Sequence, residues 1–358
     1  MAHPILASTQ RYEAWMRARL GPSLVEADLE AKRRRMQSGP FPFLRATYWR
    51  WSEVVLQSCP EFADAAPVLA VGDVHLENFG TWRDAEGRLV FGVNDFDEAA
   101  VMPWPLDLPR LLTSALLTND QTDKDLARSI AAQLLQSYTD GIAAPAAVLL
   151  DHGYPWLRPR LAVTQEARDA FWEKMLAPTG IAQKPEALVA ALRHAVPEGG
   201  AVRAIFARTA GAGSLGRPRL VLRADWRGGP VLREAKAVLP SGWTLAYGPE
   251  RCQAAAAASG PYRSPDPWFS VREGVVLRRL SPNNRKLDAA AEGDLMQAPR
   301  MLHAMGRDLS AIHAGTPGAA ARIASEIAGG APDAKILARA ALRMAALVTE
   351  EQAAFARG

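Results

Sequence analysis

Apolar and polar positions over residues 8–38 read as a helix that stops at Gly39, Pro40 and Pro42. A second, Trp-rich helix is expected over 44–57. "APVLAVGDVHLENFG" then runs from a short apolar strand into a loop, and "RLVFGVNDFDEA" reads as a strand and turn, with Gly87 marking the hairpin before it. Residues 106–142 are helical in pattern, and 143–200 suggest further helices broken by Pro and Gly. The texture changes at Ala201. From there "AVRAIFARTAGAGSLGRPRLVLRADWRGGPVLREAKAVL" alternates apolar and polar residues and is punctuated by glycines, as a β-meander is. An Ala-rich helix over 249–259 and the strands "WFSVREG" and "VVLRRLS" follow. From Asp288 onward the pattern is helical, with breaks at 315–318 and at "GGAPD".

This succession predicts an α+β protein in three segments. Residues 1–200 form most of a helical body, 201–287 a small β-rich module, and 288–358 the helical remainder. With 358 residues and 49% hydrophobic content, the chain can bury a large core. A net charge of +4 is not a nucleic-acid signature by itself. Only seven of the 42 basic residues are Lys, so arginine clusters say little and a well-placed lysine says more. The run "AKRRRM" at 31–36 is expected to be a solvated helix face. Two cysteines make no disulfide framework or metal motif. The start "MAHPILASTQRYEAW" lacks a basic stretch followed by an apolar run, and no apolar stretch is long enough to span a bilayer. A cytoplasmic protein without membrane partners is expected.

Chemistry concentrates in two short stretches, "GDVHLEN" and "NDFDEA". Phosphoryl transfer from a nucleotide needs metal ions on the phosphates and a group that orients the attacking hydroxyl. Magnesium prefers carboxylate and amide oxygens. Asp73 is placed to accept a proton, and Asn78 and Asp95 to hold a metal. Asp97 lies on the same side as Asp95 by strand alternation, as a further ligand or a supporting partner.

These two stretches resemble the catalytic and metal-binding loops of aminoglycoside and choline phosphotransferases, relatives of protein kinases. "WPLDLPRLL" resembles their later Asp-Leu helix start. The resemblance implies that Asp107 holds the catalytic loop in shape and that His75 is a residue of that loop. Together with "GPFPFLRATY" and "GAGSLG", the same stretches also resemble a bacterial family labelled a domain of unknown function. A kinase-like two-lobe fold, ATP and Mg²⁺ as cofactors, and a small hydroxyl- or amine-bearing acceptor are what this likeness implies.

Gly211, Gly213 and Gly216 fit G-x-G-x-x-G, with Ser214 between them. Pro218 and an alternating strand follow, where a dinucleotide fingerprint needs a helix. A strand–loop–strand flap over phosphates fits better. A cation is then expected on the next strand. Lys236 and Arg233 compete for that place, because they point to opposite faces of a strand. The resemblance sets its lysine just before Glu-Ala, where this chain has Arg233. Glu250, at the start of the Ala-rich helix, is the expected partner of that cation.

The order of these parts is unusual for a kinase-like chain, because the glycine loop follows the acidic loops. "MLHAMGRDLSAIHAG" looks like the helix that ordinarily precedes the catalytic loop, yet it lies far downstream. A circular permutation would account for both. "GDVH" also resembles the first motif of metallophosphoesterases, but their further histidine-rich motifs are missing. A nucleotide-binding pseudokinase or scaffold, or transfer of AMP, are the other readings.

Overall fold

The computed structural model describes residues 4–118, 123–177, 185–330 and 332–358. Parts of the stretches expected to be helical, 119–122 and 178–184, lie outside the described residues. So do Ala331 of the "GGAPD" break and the first three residues. Among the described residues the chain is α+β, with fourteen α-helices and three antiparallel sheets. No helix among them is long and apolar enough to cross a membrane.

The helix expected over 8–38 is two helices, Pro4–Leu20 and Glu26–Gln37. Gly21 between them takes φ +51°, a conformation glycine adopts at no steric cost, and Pro22 follows. Pro40 and Pro42, expected to break the helix, also open the next one. They sit at the start of a short helix, Pro40–Ala46, where a missing N–H costs nothing, and Tyr48–Ser58 follows. The Ala-rich helix expected over 249–259 is shorter than expected. Gly242–Tyr247 ends at Gly248 and Pro249, and only Ala254–Ala258 resumes.

Strands β1 (Pro67–Ala70), β2 (Phe79–Arg83), β3 (Leu89–Val93), β4 (Ala100–Pro103) and β5 (Val148–Leu149) belong to the body of the protein. β1 pairs with β4, and the β2–β3 hairpin turns at Asp84–Gly87, with β5 on its edge. The meander is present as expected. β6 (Ala201–Ala207), β7 (Arg219–Trp226), β8 (Gly229–Ala237), β9 (Ser270–Arg272) and β10 (Val275–Leu280) form one sheet in the order β6-β7-β8-β10-β9. Alternation along β7 sends Leu220, Leu222 and Ala224 to the face covered by the helix Glu186–His194, and Val221 to the other face.

The largest core draws on both ends of the chain, from Ile5 to Phe355. The helix Ala334–Arg357 packs on Asp107–Thr118 and Lys124–Ala143, and Pro299–Ala314 packs along Lys124–Ala143. That last crossing is close because each helix offers a glycine to a serine of the other. A Cβ on Gly306 would overlap Ser137 Oγ, and one on Gly141 would overlap Ser310 Oγ. Gly306→Ala should therefore cost about 1–3 kcal/mol. Ser137→Ala, which removes the overlapping oxygen, should recover part of the loss in a double-mutant cycle of denaturant midpoints. Full additivity of the two changes would show that the crossing is not limited by this contact.

Candidate functional site

The loop after β1 is held from below by one carboxylate. Asp107, at the start of the helix Asp107–Thr118 and 1% exposed, accepts from the backbone N–H of Val71 at 2.8 Å and of Gly72 at 2.9 Å. His313 Nε2 lies 3.0 Å from the same carboxylate, and Tyr138 Oη lies 2.8 Å from His313 Nδ1. Asp107 thus joins the loop backbone to the helices that carry His313 and Tyr138. Gly72 takes φ +77°, and a Cβ there would lie 2.5 Å from both Glu98 O and Tyr48 Oη. Only glycine lets the chain turn at this point.

Beyond that turn Asp73 meets Arg110, which is fully buried and ion-paired with it. The Arg110 guanidinium also donates to Leu44 O at 3.0 Å and lies 4.9 Å from the rings of Tyr48 and Trp51. Burial raises the Asp73 pKa above the usual carboxylate value, and Arg110 opposes the rise. Asn78 spends its amide N–H groups on Asp73 O at 3.0 Å and Asp95 O at 3.1 Å, which leaves the amide oxygen for a ligand. His75 is 7% exposed, and its Nδ1 is buried without a hydrogen-bond partner. Burial, then Arg45 and Lys286, hold it well below the ordinary imidazole value, so the ring is neutral.

The second acidic stretch faces the sheet. Lys236 Nζ lies 3.3 Å from Asp95 Oδ1 and 2.6 Å from Asp97 Oδ2, and its side chain is 3% exposed. Arg217, also buried, reaches Asp97 at 3.2 Å and Glu98 at 2.8 Å. Burial would raise the Asp95 pKa, but Lys236 and then Arg278 overcome it and hold the group below its usual range. Asp97 is raised, by burial and then by Asp95. Asp95 therefore keeps the exposed, ionised carboxylate, while Asp97 is committed to its two cations.

The glycine stretch is the β6–β7 connection, a hairpin as expected. It leans on the acidic loop, since a Cβ on Gly213 would lie 3.2 Å from Asp73 Oδ2. Gly211 and Gly216 take φ +76° and +94°. Ser214 Oγ accepts from Arg219 at 2.7 Å. The hairpin does not hang free, because the helix Glu26–Gln37 grips its carbonyls. Lys32 donates to Gly213 O at 2.9 Å, Arg35 donates to Gly211 O at 2.9 Å, and Val25 N donates to Gly216 O at 3.0 Å. The expected solvated face at 31–36 is thus corrected at Lys32. It is 4% exposed, with its ammonium 5.3 Å and 4.8 Å from the rings of Tyr12 and Trp49.

Two expectations fail. Glu250 is not a helical residue and does not meet Lys236. Gly248 and Pro249 end the preceding helix, and Glu250 falls in the connection, ion-paired with Arg19. Arg233 faces away from Lys236 and stacks on Trp268, 3.6 Å from the ring centroid. Lys236 is the cation that reaches the acidic pair.

A cavity of about 40 Å³ is bordered by Asp73, His75, Asn78, Asp95, Asp97 and Gly213. Through Asp95, Gly211 and Lys286 it adjoins a larger cavity of about 400 Å³ between the β2–β3 hairpin and the five-stranded sheet. Trp82, Phe96 and Phe269 line the larger space, together with Arg208, Arg219 and Arg278.

Residues 24–176 match the model of a family described as "Uncharacterized protein conserved in bacteria" (DUF2252). The matched stretch holds Asp73, Asn78, Asp95 and Asp107, while the glycine hairpin and Lys236 lie beyond it. No curated protein and no solved structure matches the chain.

Sequence reasoning missed Lys32, Arg110, Arg217 and the arginines around the larger cavity. Arg110 has a local signal, because it follows Asp107 by three positions and so shares its helix face. The other residues have none.

Burial, then Arg217, push the Lys32 ammonium down to about 7, against Glu98, Asp73 and Glu13. Between that value and the ordinary lysine value, the unfolded chain binds the extra proton. Unfolding free energy should therefore rise with pH across about 7 to 10 on account of Lys32. Lys32→Met should flatten this rise in chemical-denaturation series taken at several pH values. Equal slopes for the two proteins would overturn the assignment.

Proposed function

We propose that the protein is an ATP- and Mg²⁺-dependent phosphotransferase acting on a small hydroxyl- or amine-bearing molecule. The observation that carries the reading is that Asp73, Asn78, Asp95 and the glycine hairpin border one cavity, beside a second large enough for a nucleotide. On this reading the five-stranded sheet is the small lobe of a kinase-like pair of lobes. The helical body, built from both chain ends, is the large lobe, and the chain order is circularly permuted. Active-site chemistry depends on where side chains meet and not on their order in the chain.

The donor set fits a hard cation. Asn78 offers an amide oxygen and Asp95 an ionised carboxylate, and the remaining ligands would be phosphate oxygens and water. Bound Mg²⁺ would neutralise charge on the transferring phosphoryl group. Asp73 orients the acceptor hydroxyl and takes its proton, with Arg110 fixing the carboxylate. Asp107 keeps the loop backbone in place. The glycine hairpin leans over Asp73, close enough that a Cβ on Gly213 would touch its carboxylate.

One observation favours a second reading. The space beside Asp73 is only about 40 Å³, enough for a few waters and not for an acceptor. A nucleotide-binding scaffold needs no acceptor there.

A nucleotide screen by thermal shift, with and without Mg²⁺, separates these readings. ATP at about 100 times its dissociation constant should add about 2.7 kcal/mol of stability. Asp73→Asn should lower turnover about 10²- to 10⁴-fold while nucleotide affinity stays unchanged. Wild-type turnover should fall on the acid side as Asp73 protonates, at a pH above the usual carboxylate range. No stabilisation by any nucleotide would sink both readings, and binding without transfer would leave the scaffold.

A further inference from the structure

Glu234 on β8 is 1% exposed and carries three arginines. Its Oε1 accepts from Arg219 at 2.9 Å and from Arg278 at 2.7 Å, and Arg208 pairs with Oε2. All three belong to the cleft side of the sheet. Arg278 sits directly across from Glu234 on β10, Arg219 sits across from Lys236 on β7, and Arg208 follows the last residue of β6. One carboxylate among three guanidinium groups leaves a local charge of +2 on the wall of the 400 Å³ cavity. Uncompensated charge in a partly desolvated wall is costly, so a surplus of this kind calls for an anion. Arg208 Nε is buried with no acceptor. Lys236, by contrast, has both of its acceptors already, in Asp95 and Asp97.

We propose that Arg208 and Arg278, held ready by Glu234, are the polyphosphate clamp of this cavity, and that Lys236 is an interior strut and not a phosphate ligand. This rests on the nucleotide reading above and changes which residues carry it. Guanidinium forks suit phosphate oxygens because two parallel N–H donors meet two oxygens. Arg219 extends the clamp to the glycine hairpin through Ser214 Oγ at 2.7 Å. Lys286, which borders both cavities, stands at the end nearest Asp95.

The test uses the full chain with sodium tripolyphosphate and ADP as separate probes, read by titration calorimetry. Arg208→Gln and Arg278→Gln should each weaken tripolyphosphate about tenfold or more, the scale of one lost charged hydrogen bond. Each should also reduce the salt dependence of binding. Arg278→Lys keeps the charge without the fork and should fall between wild type and Arg278→Gln. Lys236→Met removes no phosphate donor but unpairs Asp95 and Asp97, and should weaken tripolyphosphate less than either arginine variant. Near-ultraviolet circular dichroism checks that each variant is folded, and the two arginine variants serve as substitutes for one another. The proposal is overturned if Lys236→Met abolishes binding while both arginine variants bind as wild type, or if folded wild type does not bind tripolyphosphate. Arginine-dependent tripolyphosphate binding without any phosphoryl transfer from ATP would keep the clamp and reject the phosphotransferase.

Discussion

The structure of the cleft depends on one buried carboxylate. Asp107 takes two backbone N–H groups of a loop that has no secondary structure of its own to satisfy them. Its remaining capacity goes to His313, 206 positions away, and through that ring to Tyr138. Four segments of the chain are thereby fixed relative to one another: the loop with Asp73 and the helices Asp107–Thr118, Lys124–Ala143 and Pro299–Ala314. Breaking such a centre costs more than a surface ion pair does, because the groups left behind have no water to turn to. Loop conformation, and with it the aim of Asp73 and Asn78, is a consequence of that satisfaction.

A second constraint joins the sheet to the body. Lys236 and Arg217 come from the sheet and the end of its hairpin, and Asp95, Asp97 and Glu98 from the turn after β3. The contact between the two parts at this point is therefore largely ionic and buried. Ion pairs of this kind add little net stability against an apolar alternative, but they are unforgiving of misalignment. They fix the distance between the glycine hairpin and the acidic loop. The helix Glu26–Gln37 adds to this from the opposite side by holding the hairpin carbonyls through Lys32 and Arg35. The cleft is closed at its inner end by charge and open toward the larger, aromatic-lined space.

Features legible in the sequence were those whose cause is local. The passage from strand to loop before Asp73, the strand–loop–strand glycine hairpin and the period-2 meander each follow from residues adjacent in the chain. Asp107 stood out only through the resemblance of "WPLDLPRLL" to an Asp-Leu helix start. Glu250 misled because helix existence was read from alanine content, while Gly248 and Pro249 decided where the helix could begin. Lys32 misled for a different reason. A run of cations predicts a wet face on average, but the helix turns each member to a different side, and one of them met Tyr12 and Trp49. The Glu234 cluster could not be read at all, because it depends on the registers of β7, β8 and β10, which no single strand encodes.

Separation along the chain has a thermodynamic side as well. The acidic loop and the sheet that faces it are more than a hundred residues apart, yet loop-closure entropy grows only with the logarithm of length. Encoding the sheet between two halves of a helical body therefore costs little, provided the halves find each other independently of it. One continuous apolar cluster runs from Ile5 to Phe355 through both halves, while two smaller clusters lie on the faces of the sheet, one completed by Leu188 and Leu192 and the other by Met175. The segment that carries the sheet also adds Trp243, Ala254 and Ala257 to the large core, and at the acidic loop it docks through ion pairs that a bound anion or cation would rebalance. Beside that apolar contact, the ion pairs of Lys236 and Arg217 with the acidic loop are the part of the junction best suited to respond to a charged ligand.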